Sequence, residues 1–309
     1  MFYILFFCGL FMLLYGANLL IDSSKLLAEH LGVSKLVIGI TLIAFGTSLP
    51  EFIVSLNSIS LADYSEIVVG NIVGSNIANI GLVFGFILLI KPIEITNSHK
   101  MFFNVLIMIF STFLFSIYLI NGHLSNFEGC SLIFILFIYL IILFKKFSRS
   151  KIDEQDESRV FHWENIIFIF SGFLLVSMGS DLFLDSAKNI AELFNVNMLV
   201  FSVLIIALAT SLPELITSLV AIYKNESGLS IGNLIGSNII NILLVGGFAS
   251  SIKSIDLNID IFNNNLSIMI VLALLLFFTQ LFCKKVGKVI GLLYLLIYIF
   301  FIVLEIFSI

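Results

Sequence analysis

One polar pattern occurs twice in an otherwise apolar chain: Thr47, Ser48, Glu51 and Ser55, and again Thr210, Ser211, Glu214 and Ser218. Residues three and four apart share a helix face, so each set aligns hydroxyls with one carboxylate. A charged side chain at the centre of a membrane-spanning helix costs about 2.5–3.5 kcal/mol on insertion scales, and neither motif contains a Lys, Arg or His to offset it. Pro50 and Pro213, each directly before the Glu, lack the N–H that would bond the carbonyl four residues back, which frees the carbonyls of Gly46 and Ala209. At membrane depth such backbone is tolerated only against protein or a hydrated cavity.

A second pattern adds Ser75 and Asn79, four apart, and Ser237 and Asn241, and we expect these four to line the same site. Asn71, Asn76, Asn233 and Asn238 stand nearby, with packing an equal explanation for Asn76 and Asn238. All these ligands are oxygens, which suits hard cations and not Zn or Cu. Two ionised glutamates are neutralised by one Ca²⁺ or by Na⁺ ions. Competition for one acidic cluster that cannot cheaply cross a low-dielectric barrier while empty gives obligatory exchange. No resident cofactor is called for.

The elements that position these groups follow from an internal repeat. AFGTSLPEFIVSLNS at 44–58 returns as ALATSLPELITSLVA at 207–221, and GNIVGSNIANIGLVFG at 70–85 as GNLIGSNIINILLVGG at 232–247. Gly16, Asp22, Lys25 and Glu29 are echoed by Gly179, Asp185, Lys188 and Glu192. A duplicated structural membrane protein would conserve packing residues, whereas the matched positions here are polar. With 60% hydrophobic and 11% charged residues in 309, the composition is that of a polytopic membrane protein. Apolar runs of spanning length predict an all-α polytopic protein of ten transmembrane helices, at about 2–21, 35–59, 65–90, 101–120, 127–145, 163–183, 197–222, 229–251, 265–283 and 287–307. We therefore divide the chain into a first repeat at 1–146, a polar linker at 147–161 and a second repeat at 162–309. Five spans per half is an odd number, so the second half enters from the opposite side and the repeats are inverted. That arrangement, with broken polar helices at matching positions, marks a secondary transporter with its site near the midplane.

Of the fifteen Lys and Arg, alternate loops leave only Lys188 and Lys253 on one side. By the positive-inside rule this puts the linker in the cytoplasm and both termini outside, in the cell inner (plasma) membrane. The first apolar run lacks a basic leader and a cleavage site and reads as a retained helix. Cys8, Cys130 and Cys283 are far apart, with no CxxC spacing, which argues against a disulfide or thiolate site. The small acidic excess argues against nucleic acid, and the lipid bilayer is the one expected partner besides the ions. His30, His99, His123 and His162 fall at helix ends or in loops, away from the repeated Ser, Thr and Glu, so an intramembrane enzyme is not supported.

At the paired signatures GTSLPE…GNIVGSNIAN and ATSLPE…GNLIGSNIIN, the chain resembles the small prokaryotic members of the sodium/calcium exchanger branch of the cation/calcium antiporter superfamily. The resemblance implies Na⁺/Ca²⁺ antiport by alternating access. It implies Ca²⁺ held mainly by Glu51 and Glu214 with backbone oxygens near Thr47 and Thr210, and Na⁺ sites drawing on Ala44 O, Ser48, Ser75, Ala207 O, Ser211 and Ser237. Ala209 stands where glycine is usual, and Asn241 where several relatives carry Asp, which argues against potassium co-transport. The alternatives are an H⁺/Ca²⁺ antiporter or another divalent cation exchanger, and the GSN pattern favours sodium over protons by family analogy. A channel would use similar ligands but pass ions without a counter-ion.

Overall fold

A computed structural model describes residues 2–61, 63–94, 99–147, 163–193 and 211–308. The described helices are α1 (Phe2–Leu31), α2 (Lys35–Ser60), α3 (Tyr64–Ile90), α4 (His99–Tyr118), α5 (Asn126–Phe147), α6 (Glu164–Leu193), α7 (Leu212–Tyr223), α8 (Ser227–Ile252), α9 (Ile259–Phe282) and α10 (Lys288–Ser308). Among the described residues, nine are long and apolar enough to cross a membrane, and α7 is a shorter apolar helix. Its expected first part, the linker at 148–161, Ala207 and Thr210 lie outside the described residues.

Helices α1 and α6 run about ten residues past the expected ends at 21 and 183. The expectation stopped beside the acidic residues Asp22, Asp181 and Asp185, whereas Leu26, Leu27 and Ala28 in one helix and Ala187 and Ile190 in the other continue an apolar stripe. Lys25 therefore sits on a helix and not in a loop. The two helices pack against each other through small residues: a Cβ on Gly16 would lie 2.9 Å from the Gly172 carbonyl, and one on Gly179 3.0 Å from the Gly9 carbonyl. Backbones approach this closely only where side chains are absent.

The main core is built on α3 and α8, with Val68, Ile72, Ile77, Leu234, Ile239 and Leu243 buried among residues from α4, α5, α9 and α10. Large apolar side chains such as Phe11, Phe134, Phe137 and Phe170 point outward, more than 60% exposed, a surface only lipid would cover.

Four two-residue strands tie the loops: β1 (Ile93–Glu94), β2 (His123–Leu124), β3 (Ile255–Asp256) and β4 (Lys285–Val286). Strand β1 pairs antiparallel with β4, Ile93 opposite Val286, and β2 with β3, Leu124 opposite Ile255. The loop after α3 thus meets the loop before α10, and its counterpart after α8 meets the loop before α5. Matching loops fall in different ribbons related by exchange of the halves, which is the signature of inversion.

The ionic contacts respect the same two faces. On one, Glu226 binds Lys25 at 2.9 Å and Lys35 at 2.7 Å, Lys224 binds Asp22 at 2.7 Å, and Lys91 donates to Asn225. On the other, Lys253 donates to the Ile59 carbonyl at 3.1 Å and His123 meets Asp256 at 2.6 Å. The Glu226 side chain is only 7% exposed. Burial alone would raise its carboxyl, but hydrogen bonds and charge from Lys35 and Lys25 hold it below the ordinary glutamate value.

Candidate cation site

Helix α2 is not continuous. An α-helical start at Lys35–Ile38 widens to a π-turn at Gly39–Ile43, returns to α at Ala44–Thr47, breaks at Ser48 (φ −86°, ψ 5°) and resumes at Leu49–Asn57. The last bond before the break is Ser48 N–H to Ala44 O, 3.0 Å, and the first after it is Phe52 N–H to Ser48 O, 3.1 Å. The Gly46 carbonyl, opposite Pro50, and the Thr47 carbonyl therefore lack α-helical partners. Thr47 and Glu51, expected within one turn, lie on either side of this break. Helix α7 begins in the same way: Ser211 has φ −97° and ψ 5°, and Leu215 N–H bonds Ser211 O at 2.9 Å.

Helices α3 and α8 carry π-turns at Ala78–Phe84 and Asn241–Gly246. Each adds a residue to one turn, rotating the remainder of the helix by about 100°. Asn79 lies inside the first and Asn241 opens the second, so both candidate amides sit where the helix is re-aimed. Such turns favour functional sites, and residue spacing did not reveal them.

Ten of the twelve expected site residues are described: Ala44, Thr47, Ser48, Glu51, Ser75, Asn79, Ser211, Glu214, Ser237 and Asn241. None is more than 1% exposed. Part of this set is brought together across the halves. Ser48 Oγ of α2 and Ser237 Oγ of α8 each donate to Glu214 Oε1 at 3.5 Å, and Thr47 Oγ1 lies 3.4 Å from Ser237 Oγ. Ser75 stands beside Glu51 as Ser237 does beside Glu214, and the two carboxylates are close enough to interact electrostatically. Ala44 O lies 3.4 Å from Thr47 Oγ1 besides accepting from Ser48 N–H.

Both oxygens of Glu51, Oε2 of Glu214, the amide atoms of Asn79 and Asn241, and Ser211 Oγ are buried without a hydrogen-bond partner among the described residues. Burying one such group costs on the order of 1–3 kcal/mol, and native interiors rarely leave even a few. The unpaired oxygens of the two interacting carboxylates suit a hard cation, which takes six to eight oxygen ligands if Ca²⁺, while no hydrogen bond among the described residues ties Asn79, Asn241 or Ser211 to them.

Two residues outside the expected set join the site. Asn233 accepts from Thr47 Oγ1 at 3.0 Å and donates to Ser218 Oγ at 3.1 Å, and Asn71 donates to Ser55 Oγ at 3.0 Å and to the Glu51 carbonyl at 2.9 Å. Their signal was in the spacing: Asn71, Ser75 and Asn79, like Asn233, Ser237 and Asn241, fall at four-residue intervals on one face.

Inverted halves, a broken helix and a buried oxygen cluster at their junction define a secondary ion transporter. The profile of the family described as sodium/calcium exchanger protein matches residues 1–145 and 164–307, and the chain belongs to that family. An uncharacterized membrane protein of Methanocaldococcus jannaschii is 34% identical over 95% of this chain and 94% of its own length. The sodium/calcium exchanger MaX1 of Methanosarcina acetivorans is 29% identical over 80% of this chain and 82% of its own. Among solved structures, the sodium-calcium exchanger NCX_Mj superposes with a TM-score of 0.83 at 32% identity, covering 97% of each chain.

Proposed function

We propose that this chain exchanges Na⁺ for Ca²⁺ across a membrane by alternating access. The observation that carries the reading is the buried, unpaired oxygen cluster built around Glu51 and Glu214 from both halves. Ca²⁺, the substrate, is bound by the two carboxylates together with carbonyls freed at the helix breaks, those of Thr47 and, by the repeat, Thr210. Na⁺ ions draw on Ser48, Ser75, Ser211 and Ser237 and on the carbonyls of Ala44 and Ala207. Asn79 and Asn241 contribute neutral amide oxygens, so the site carries no more than two negative charges.

Coupling follows from that charge. Emptied of cations, two carboxylates in a low-dielectric interior repel each other and pay full desolvation, so the halves exchange places only when one Ca²⁺ or a set of Na⁺ neutralises them. The distribution of Lys and Arg supports a plasma-membrane orientation with both termini outside.

The test is Ca²⁺ uptake into sealed proteoliposomes under an imposed Na⁺ gradient, repeated with a pH gradient and with neither. Uptake driven by Na⁺ alone is expected. Uptake driven only by the pH gradient replaces sodium with protons as the coupling ion, and uptake needing no counter-ion gradient makes the protein a channel.

A further inference from the structure

The contacts of Asn71 and Asn233 match in one respect and differ in another. Each donates its amide to the Ser one turn after the glutamate in its own half, Asn71 to Ser55 and Asn233 to Ser218, at 3.0 and 3.1 Å. These bonds join neighbouring helices within a half. What differs is the rest: Asn71 also donates to the Glu51 carbonyl, whereas Asn233 accepts the hydroxyl of Thr47, a residue of the opposite half. Thr47 has one hydroxyl proton, and its shortest hydrogen bond is to Asn233 Oδ1 at 3.0 Å, against 3.4 Å to Ala44 O and Ser237 Oγ, with the Glu214 carboxylate also beside it. Asn71 Oδ1 is buried and has no partner among the described residues.

Asparagine suits this post because one short, uncharged side chain offers a donor and an acceptor at once. Aspartate in its place would lose the donor and add a charge close to Glu214. Alanine would leave both Thr47 and Ser218 unanswered in a buried setting. The Thr47–Asn233 bond spans the join between halves at the α2 break, where the Thr47 carbonyl is free, so it fixes the direction of that carbonyl relative to Glu214.

We propose that Asn233 is a positioning residue for the cation site, and that its bond to Thr47 belongs to one of the two access states. In the other state Asn71, the repeat counterpart of Asn233, takes over that post at the join. This rests on the antiport reading. The two asparagines thereby act as paired clasps that are never both closed, each tying one half to the other.

The experiment uses the full protein reconstituted in one orientation, with half-saturating Ca²⁺ measured from each face. Removing a clasp destabilises only the state that uses it, so apparent affinity falls on the face served by that state and rises on the other. Asn233→Ala is expected to change the ratio of the two affinities roughly five- to tenfold, the scale of one hydrogen bond. Asn71→Ala should change it by a similar factor in the opposite direction. Thr47→Val should reproduce the Asn233→Ala shift, the Thr47→Val/Asn233→Ala pair should add nothing further, and Thr47→Ser should restore the wild-type ratio. Thr47→Val also serves should Asn233→Ala not fold. Shifts of the same sign in both asparagine variants, or equal loss on both faces, reduce the residues to packing and overturn the proposal. Absence of Na⁺-driven Ca²⁺ flux in the wild type instead overturns the antiport reading itself.

Discussion

Glu51 and Glu214 hold matching positions in the two halves, yet their surroundings differ. Glu214 Oε1 takes long bonds from Ser48 and Ser237, both at 3.5 Å, whereas Ser75 and the Glu51 backbone amide stand beside the Glu51 carboxylate without closing a bond to either oxygen. The difference extends outward. A Cβ on Gly236 of α8 would strike the Ile40 carbonyl and lie 2.6 Å from Ala44 Cβ, while one on Gly74, its counterpart in α3, meets nothing within 4 Å among the described residues. Glu226, just before α8, is clasped by Lys25 and Lys35. Asp63, just before α3, would need the equivalents Lys188 and Met198, and a methionine has no charge to give. The motifs are near copies, so most of this asymmetry belongs to the conformation. A transporter made of inverted halves works on that basis: exchanging the two environments turns one site toward the other face.

The sharpest test of the comparison is at the glutamates. Glu51→Gln and Glu214→Gln should each cut Na⁺-driven Ca²⁺ uptake about a hundredfold or more, the scale of losing one partner from a buried charge pair. Na⁺ binding should suffer less, since a doubly charged ion interacts twice as strongly with each carboxylate. The halves should then part company in stability. With ions removed, Glu51→Gln should raise the melting temperature more than Glu214→Gln, because it deletes the more weakly held of the two carboxylates. Equal shifts would dissolve the distinction drawn between the two carboxylates, and near-normal uptake in either variant would remove that residue from the site.

Smaller effects are expected at the glycines. Gly236→Ala should destabilise the protein by about 1–3 kcal/mol through overpacking. Gly74→Ala should be neutral or stabilise by up to about 1 kcal/mol through helix propensity. Unfolding in detergent measures both, and matched losses would mean that α3 is as tightly held as α8.

The smallest effect is at Glu226. Its carboxyl is held below the ordinary value of 4.5 in the folded protein, so the clasp contributes in full above that value and is lost as pH falls through the depressed one. Glu226→Gln should therefore lower the melting temperature modestly at neutral pH and match the wild type in strong acid. Parallel melting curves for the two proteins across that range would show that the clasp contributes nothing.

Much of this organisation was legible in the sequence, because buried polar groups in a lipid solvent are conspicuous. All ten described candidates proved buried, while the contacts of Ser48 with Glu214 and of Thr47 with Ser237 came from the structure. The break at Ser48, two residues before Pro50, was not legible: the proline marks where a helical bond is missing, but tertiary contacts to Glu214 and Asn233 decide where the chain bends. The π-turns around Asn79 and Asn241 escaped for a similar reason, since they leave no periodic trace in an apolar stretch. The spacing of Asn233 put it on the face of Ser237 and Asn241, but its role lies in a bond to Thr47 that no spacing within α8 could announce.

The ribbons carry a further consequence, for biosynthesis. Ile93 finds its pairing partner only when Val286 has been made, and Leu124 waits for Ile255. Pairings this distant in sequence form late. Thr47 likewise waits for Asn233, so a nascent first half sits in the membrane with Glu51 and its broken helix exposed to whatever surrounds them. The hairpin of α9, β4 and α10 is the last piece to arrive and the one that closes the β1–β4 ribbon. Truncation there should be felt as proteolysis of the whole chain before any transport could be assayed.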